Sequence, residues 1–275
     1  MVDEPKAQVG VPNWMRAPFL HFADHQERLG DFYHFSRSGF EMAIFSANRV
    51  KELKGQLAVL TAGWAVKAKE LGMPAAYPRH DEDANDKIRQ ERAEKAKHEV
   101  DAGFPILHEQ QTVFLWSSLE CLIEDFLTAW MENEPSAMQL DEIRKIKVSI
   151  SDYESLQGTE KYYYILQELQ HSARSRFKRG AEQFESLLSI FDLSGEVADS
   201  AKRDLIELES VRNVLLHRKG IVDGRFCRSC PWLEVKIGTR VVVGEIQWNK
   251  YANAAFDYAK IVLNRAKIRY LTTEE

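Results

Sequence analysis

At 275 residues the chain is long enough to bury a sizeable core, as one large domain or two small ones. A hydrophobic share of 44% beside 29% charged residues fits an ordinary globular protein, and a net charge of −5 excludes a generally basic nucleic-acid coat. Any contact with nucleic acid therefore has to rest on local cation clusters. The N-terminal MVDEPKAQ lacks the basic start and apolar run of a secretion signal. No apolar stretch approaches the roughly 20 residues of a membrane helix, so a cytoplasmic chain without a membrane partner is expected.

Residues 1–18 carry Pro5, Pro12 and Pro18 and read as an extended arm. Aromatics then crowd at Phe19, Phe22, Phe32, Tyr33, Phe35 and Phe40. From about Phe40 to Leu71, apolar residues recur in steps of three, four and seven through Ile44, Ala47, Leu53, Leu57, Leu60, Trp64 and Ala68. That spacing predicts a long amphipathic helix. His21, His25 and His34 have no matching acidic motif, so they read as polar residues on an aromatic surface rather than as ligands. The proline- and charge-rich stretch at 72–86 marks a boundary, and Lys87 to Val100 reads as a solvated helix. The chain is thus expected to divide into a helical region at 1–75, a charged linker or helix at 76–103 and a main helical domain at 104–275.

Phe104-Pro105 restarts the apolar pattern, with proline suited to a helix start. The helix predicted from there to about Met131 is too apolar for a one-sided surface helix and belongs at the centre of a bundle. Cys121 reads as a buried thiol within it. Glu120, Glu124 and Asp125 are either a solvated edge or acids facing a site. After Glu134-Pro135 a short helix near Leu140 to Val148 is expected, then a polar loop through Gly158. A further helix carries Tyr162, Tyr163, Ile165, Leu166 and Leu169. Arg174, Arg176, Lys178 and Arg179 follow as the densest basic cluster, either a phosphate grip or a solvated loop. Phe184 to Phe191 forms another helical face, ended by Leu193-Ser194-Gly195.

The next helix is predicted from about Glu196 to Lys219, with Gly220 at its C-terminal end. Leu208, Val211, Val214 and Leu215 fall on one side. Glu209, Arg212, Asn213 and His217 fall in a polar stripe on the other, among Leu205, Ile206 and Leu216. A helix apolar on both sides implies a second buried contact, with another element or another copy of the chain. A loop follows, holding Cys227 and Cys230, a single CxxC without a second pair of ligands and so an incidental pair. LEVKI-GT-RVVVGEI then predicts a β-hairpin turning at Gly238-Thr239, and Trp248 to Tyr270 a closing helix. The expected fold is mainly α: a helical bundle with a small β-hairpin between its last two helices and an N-terminal helical extension.

Arg212-Asn213-x-x-x-His217, an R-x4-H pattern at a helix end before Gly220 and Ile221-Val222-Asp223, resembles the HEPN superfamily of helical ribonucleases, especially prokaryotic members of toxin–antitoxin and phage-defence systems. FLWSSLECLIEDFL, Phe114 to Leu127, is similar to the family's early core helix, and the likeness covers roughly Phe104 to Tyr270. The resemblance implies metal-independent RNA cleavage, without a cofactor, at a site built across a homodimer. In that reading His217 exchanges protons, Arg212 grips the phosphate oxygens and Asn213 orients either group. Arg174, Arg176, Lys178, Arg179, Arg218 and Lys219 bind RNA, with Glu120 and Glu209 as supporting acids. An antitoxin or regulatory protein is a further implied partner. The competing readings are a catalytically silent HEPN-like interaction or dimerisation module, and a merely structural motif in which Arg212 pairs with Glu209 or Glu207 and His217 caps the helix C-terminus.

Overall fold

The computed structural model describes residues 11–72, 83–173 and 179–273. Ten α-helices lie among them: α1 (Asn13–Glu70), α2 (Asp83–Asp101), α3 (Pro105–Asn133), α4 (Asp141–Arg144), α5 (Ile150–Ser155), α6 (Thr159–Ala173), α7 (Ala181–Leu188), α8 (Asp199–Arg218), α9 (Gly224–Ser229) and α10 (Glu245–Thr273). The chain divides into two compact units, one of residues 1–29 and 108–275 and one of residues 30–107.

The larger unit is a helical bundle with one continuous apolar core. Its α3 is central as its composition demands, with Leu115, Trp116, Leu119, Leu122, Ile123, Phe126 and Leu127 all buried. One edge of α3 stays open, however. Phe114, Cys121 and Asp125 are exposed along it, so Cys121 is not the buried thiol expected. The side chains that close the core come from Leu166 and Leu169 of α6, Phe184 and Leu188 of α7, and Tyr251, Tyr258 and Val262 of α10. Toward the end of α10, Ile268 is exposed.

The start of α1 corrects the expectation of an extended arm up to residue 18. The helix begins at Asn13, right after Pro12, and runs through Pro18. A proline inside a helix removes one hydrogen bond. Burial offsets that loss here: Met15 and Phe22 lie in the core, Trp14 packs edge-on to Trp130 at 5.8 Å, and Phe19 packs on Phe126 at 5.3 Å.

No β-strand forms among the described residues, so the expected hairpin is absent; a single antiparallel bridge joins Ile221 to Arg240. The apolar alternation of the second half is real: Val241 and Val243 are buried and Val242 is exposed. Its partner is different. Gly238 and Val241 donate to the carbonyls of Val222 and Gly220, at 2.9 and 2.8 Å, in the segment that leaves α8. The first half of the expected hairpin takes another form: Pro231–Leu233 is a tight helical turn, and Val235 and Ile237 are exposed. The loop expected after Gly220 also contains α9, capped by the Asp223 carboxylate accepting from Phe226 N–H at 2.8 Å.

The smaller unit comprises the remainder of α1, the charged helix α2 and the turn before α3. Phe104, in left-handed backbone at φ 58°, packs with Tyr33 and Phe40 and lies under the Arg37 guanidinium. Lys54 and Arg89 both pair with Asp86. Much of the apolar stripe of α1 in this unit faces outward, including Phe35, Leu57, Leu60 and Trp64.

Candidate functional site

The R-x4-H helix is α8, and α7, α9 and α10 are among its neighbours within the larger unit. These account for most of its second apolar side. Leu205 is fully buried, and Ile206 lies directly under the backbone of Gly180. A side chain at Gly180 would stand 2.5 Å from Ile206 Cγ1 and 2.8 Å from its backbone nitrogen, and φ at Gly180 is +59°. Only glycine permits this close approach. Of the three apolar residues in the stripe, Leu216 alone remains exposed, at 50%. The chain therefore covers most of the face that the pattern assigned to a second buried contact.

Glycine at 180 also delivers the supporting acid. Glu209, almost wholly buried, accepts the Gly180 N–H at 2.7 Å through Oε2 and the Asn213 Nδ2 at 3.4 Å through Oε1. Asn213 Oδ1 in turn accepts Arg212 Nη1 at 3.0 Å. The other end of the guanidinium, Nη2, lies 3.4 Å from Glu120 Oε2 on α3. Trp116 Nε1 donates to the remaining Glu120 oxygen at 2.8 Å. Glu120 and Glu209 thus hold Arg212 and Asn213 in one chain of polar contacts. Arg212 pairs with neither Glu209 nor Glu207, the partners a purely local reading of α8 would choose. Its Nε is buried and finds no acceptor among the described residues.

Burial raises the pKa of Glu120; the charge of Arg212 and the Trp116 hydrogen bond oppose this, while Glu124 and Glu209 add to it.

His217 occupies the last turn of α8 and is exposed. It lines an open groove of about 410 Å³ together with Asn213, Arg179, Arg218 and Arg225. Arg179 is brought there by the Gly180 approach and hydrogen-bonds Ser229 of α9. Arg218 Nε lies 3.4 Å from Asp223 Oδ2. The Phe226 N–H holds Asp223 below the usual carboxylate range; desolvation opposes this, and Arg225 N–H and Arg218 assist. The groove therefore offers guanidinium groups, an imidazole and an amide around one cavity, with Asp223 as a carboxylate in its wall; the cations outnumber it, a donor set suited to phosphate oxygens.

Of the residues expected to bind RNA, Arg179 and Arg218 share this groove with His217. Lys219 is exposed at the helix terminus, in left-handed backbone at φ 55°, and does not line it. Arg174, Arg176 and Lys178 lie outside the described residues. Sequence reading missed Arg225 and Asp223. The signal for them was Asp223-Gly224 ahead of an arginine and an aromatic, a helix start within an assumed loop.

Arg212 and His217 do not meet within the chain. Five residues apart on a helix, they diverge by about 140°. Arg212 turns to α3 and His217 to the arginine-lined groove, while Asn213 belongs to both sets of contacts. No group of three or more metal-ligating side chains is assembled among the described residues, which includes Cys227 and Cys230. No helix among them is long and apolar enough to cross a membrane. No family model matches this sequence, and no curated protein or solved structure matches it either.

Proposed function

We propose that this chain is an endoribonuclease that cleaves RNA by transesterification, without a metal ion, at a site completed by a second copy of itself. The observation that carries this reading is the polar chain Glu120–Arg212–Asn213–Glu209, which ends at Asn213 on an arginine-lined groove holding His217. The groove binds the RNA backbone through Arg179, Arg218 and Arg225. The ribose 2′-oxygen attacks the adjacent phosphorus and the bond to the 5′-oxygen breaks, leaving a 2′,3′-cyclic phosphate and a 5′-hydroxyl. One imidazole accepts the proton of the 2′-hydroxyl, and the His217 of the second copy returns a proton to the leaving oxygen. Arg212 offsets the charge that builds on the non-bridging oxygens. Because Arg212 and His217 diverge within one chain, a two-fold pairing that turns the Arg212 of one copy toward the His217 of the other supplies the missing convergence.

Nucleases of the family it resembles act in toxin–antitoxin and phage-defence systems, and we extend that setting to this chain, with an antitoxin or regulatory protein to restrain it. The test is RNA cleavage in EDTA by wild type, His217→Ala and Arg212→Ala. Loss of at least about 100-fold in each variant is expected for a lost proton carrier or lost charge stabilisation. Equal activity in all three rejects the site.

The second reading, a catalytically silent interaction module, is favoured by the ion pair that occupies Arg212. Absence of cleavage by wild type, together with a stable dimer, would select it.

A further inference from the structure

A second cavity, of about 480 Å³, is built by α3, α6 and α7. Glu120 stands in its wall, and Asn213 stands in the wall of the arginine-lined groove. Arg212 contacts both residues, so one guanidinium joins the two cavities. Their chemistry is opposite. The groove carries Arg179, Arg218 and Arg225 beside one carboxylate, Asp223. The described residues lining the second cavity include no lysine or arginine; its polar wall includes Glu120, Glu124, His171, Gln167, Gln170 and Gln183. Its apolar lining is Ile123, Phe184 and Leu187, all buried. Gln170 donates to Glu124 Oε1 at 3.0 Å and the Tyr163 hydroxyl to Oε2 at 3.5 Å, which leaves each oxygen one further acceptor position.

Two carboxylates beside one imidazole, with no lysine or arginine among the described lining residues, disfavour a phosphate and accept N–H groups. Glutamine amides present a donor and an acceptor each, and an apolar wall suits the faces of a flat ring. We infer that this cavity holds a nucleobase of the RNA, next to the phosphate held in the groove, and that it prefers guanine. Guanine offers an N1–H and a 2-amino group side by side, the two donors that one carboxylate can accept together; adenine, cytosine and uracil lack that pair. This inference rests on the ribonuclease reading for the identity of the ligand, but its binding step does not need the reaction.

The experiment therefore measures both. Calorimetric titration of the full-length His217→Ala protein with GMP, AMP, CMP and UMP compares bases at a constant phosphate. GMP is expected to bind at least about tenfold more tightly than AMP, and Glu124→Gln, added to that protein, to remove the difference, as for a lost charge-assisted hydrogen bond. Gln183→Leu, on a different helix, checks the cavity independently and should weaken GMP more than UMP. In the wild-type enzyme the cleavage map should show guanine beside the cut, and Glu124→Gln should flatten it. Equal binding of the four nucleotides, no binding of any, or a guanine preference unmoved by both variants overturns the inference. Selective GMP binding without RNA cleavage by wild type would uphold the cavity and reject the nuclease.

Discussion

Glu207 offers the sharpest test of how α8 is anchored. It is 1% exposed, and its carboxylate accepts from Trp232 Nε1 at 2.9 Å, Tyr251 hydroxyl at 2.8 Å, Gln247 Nε2 at 3.3 Å and Lys250 Nζ at 2.5 Å. Glu207→Gln keeps the shape but leaves one carbonyl to satisfy these donors and turns an N–H₂ toward them. Breaking a buried charge pair costs about 3–5 kcal/mol. Lys250 is 37% exposed and regains water, which lowers that figure. Crowded donors on Trp232 and Tyr251 add about 1 kcal/mol or more. A net loss of about 3 kcal/mol follows, or about 6–12 °C in Tm at this chain length.

Its pH dependence is specific. Burial alone would raise the Glu207 pKa, but hydrogen bonds from Lys250, Trp232 and Tyr251 outweigh it and hold the carboxyl below its ordinary value. A depressed carboxylate contributes stability that is present above its unfolded pKa, near 4.3, and is lost as pH falls through the folded value. Urea unfolding of both proteins from pH 8 to pH 3 should show a constant gap down to about pH 5 that narrows below about pH 4. A gap under about 1 kcal/mol at pH 7, or one that stays constant to pH 3, refutes the assignment.

Gly180→Ala should destabilise by about 3 kcal/mol or more, because the new Cβ would meet Ile206 at 2.5 Å in left-handed backbone. A compensated urea midpoint within about 0.5 kcal/mol of wild type would contradict the close approach that brings Arg179 to the groove. Among the cysteines, Cys230 is buried and its thiol pKa is pushed up to about 11, chiefly by burial. Burial and the nearby Glu124, Asp125 and Glu120 also raise the Cys121 thiol pKa, but it is exposed, so at pH 8 an alkylating reagent should label it slowly, while Cys230 reacts only after unfolding. Peptide mapping that finds Cys230 labelled first in the native protein would show that the packing beneath α8 is wrong.

The helical character was legible because apolar steps of three and four leave an amphipathic helix few alternatives. Thus α3 and α8 fall where their spacing and their terminal proline and glycine put them. The polar stripe of α8 was readable for the same reason: on a helix, rotation per residue alone decides which side chains share a face. Partners were not readable, because they come from distant sequence. Nothing local says that Arg212 meets Glu120 or that Glu207 meets Tyr251, 92 and 44 residues away along the chain. The alternation around Val241 was correctly periodic, yet its partner became the segment leaving α8, because pairing depends on which backbone is free nearby. Met15 and Phe22 carried α1 through Pro18 because core burial outweighed a local helix breaker. Sequence thus determined the faces of α8 and the roughly 140° between Arg212 and His217; tertiary structure alone decided that the first meets Glu120 of α3 and the second an arginine-lined groove, since only packing sets what each face meets.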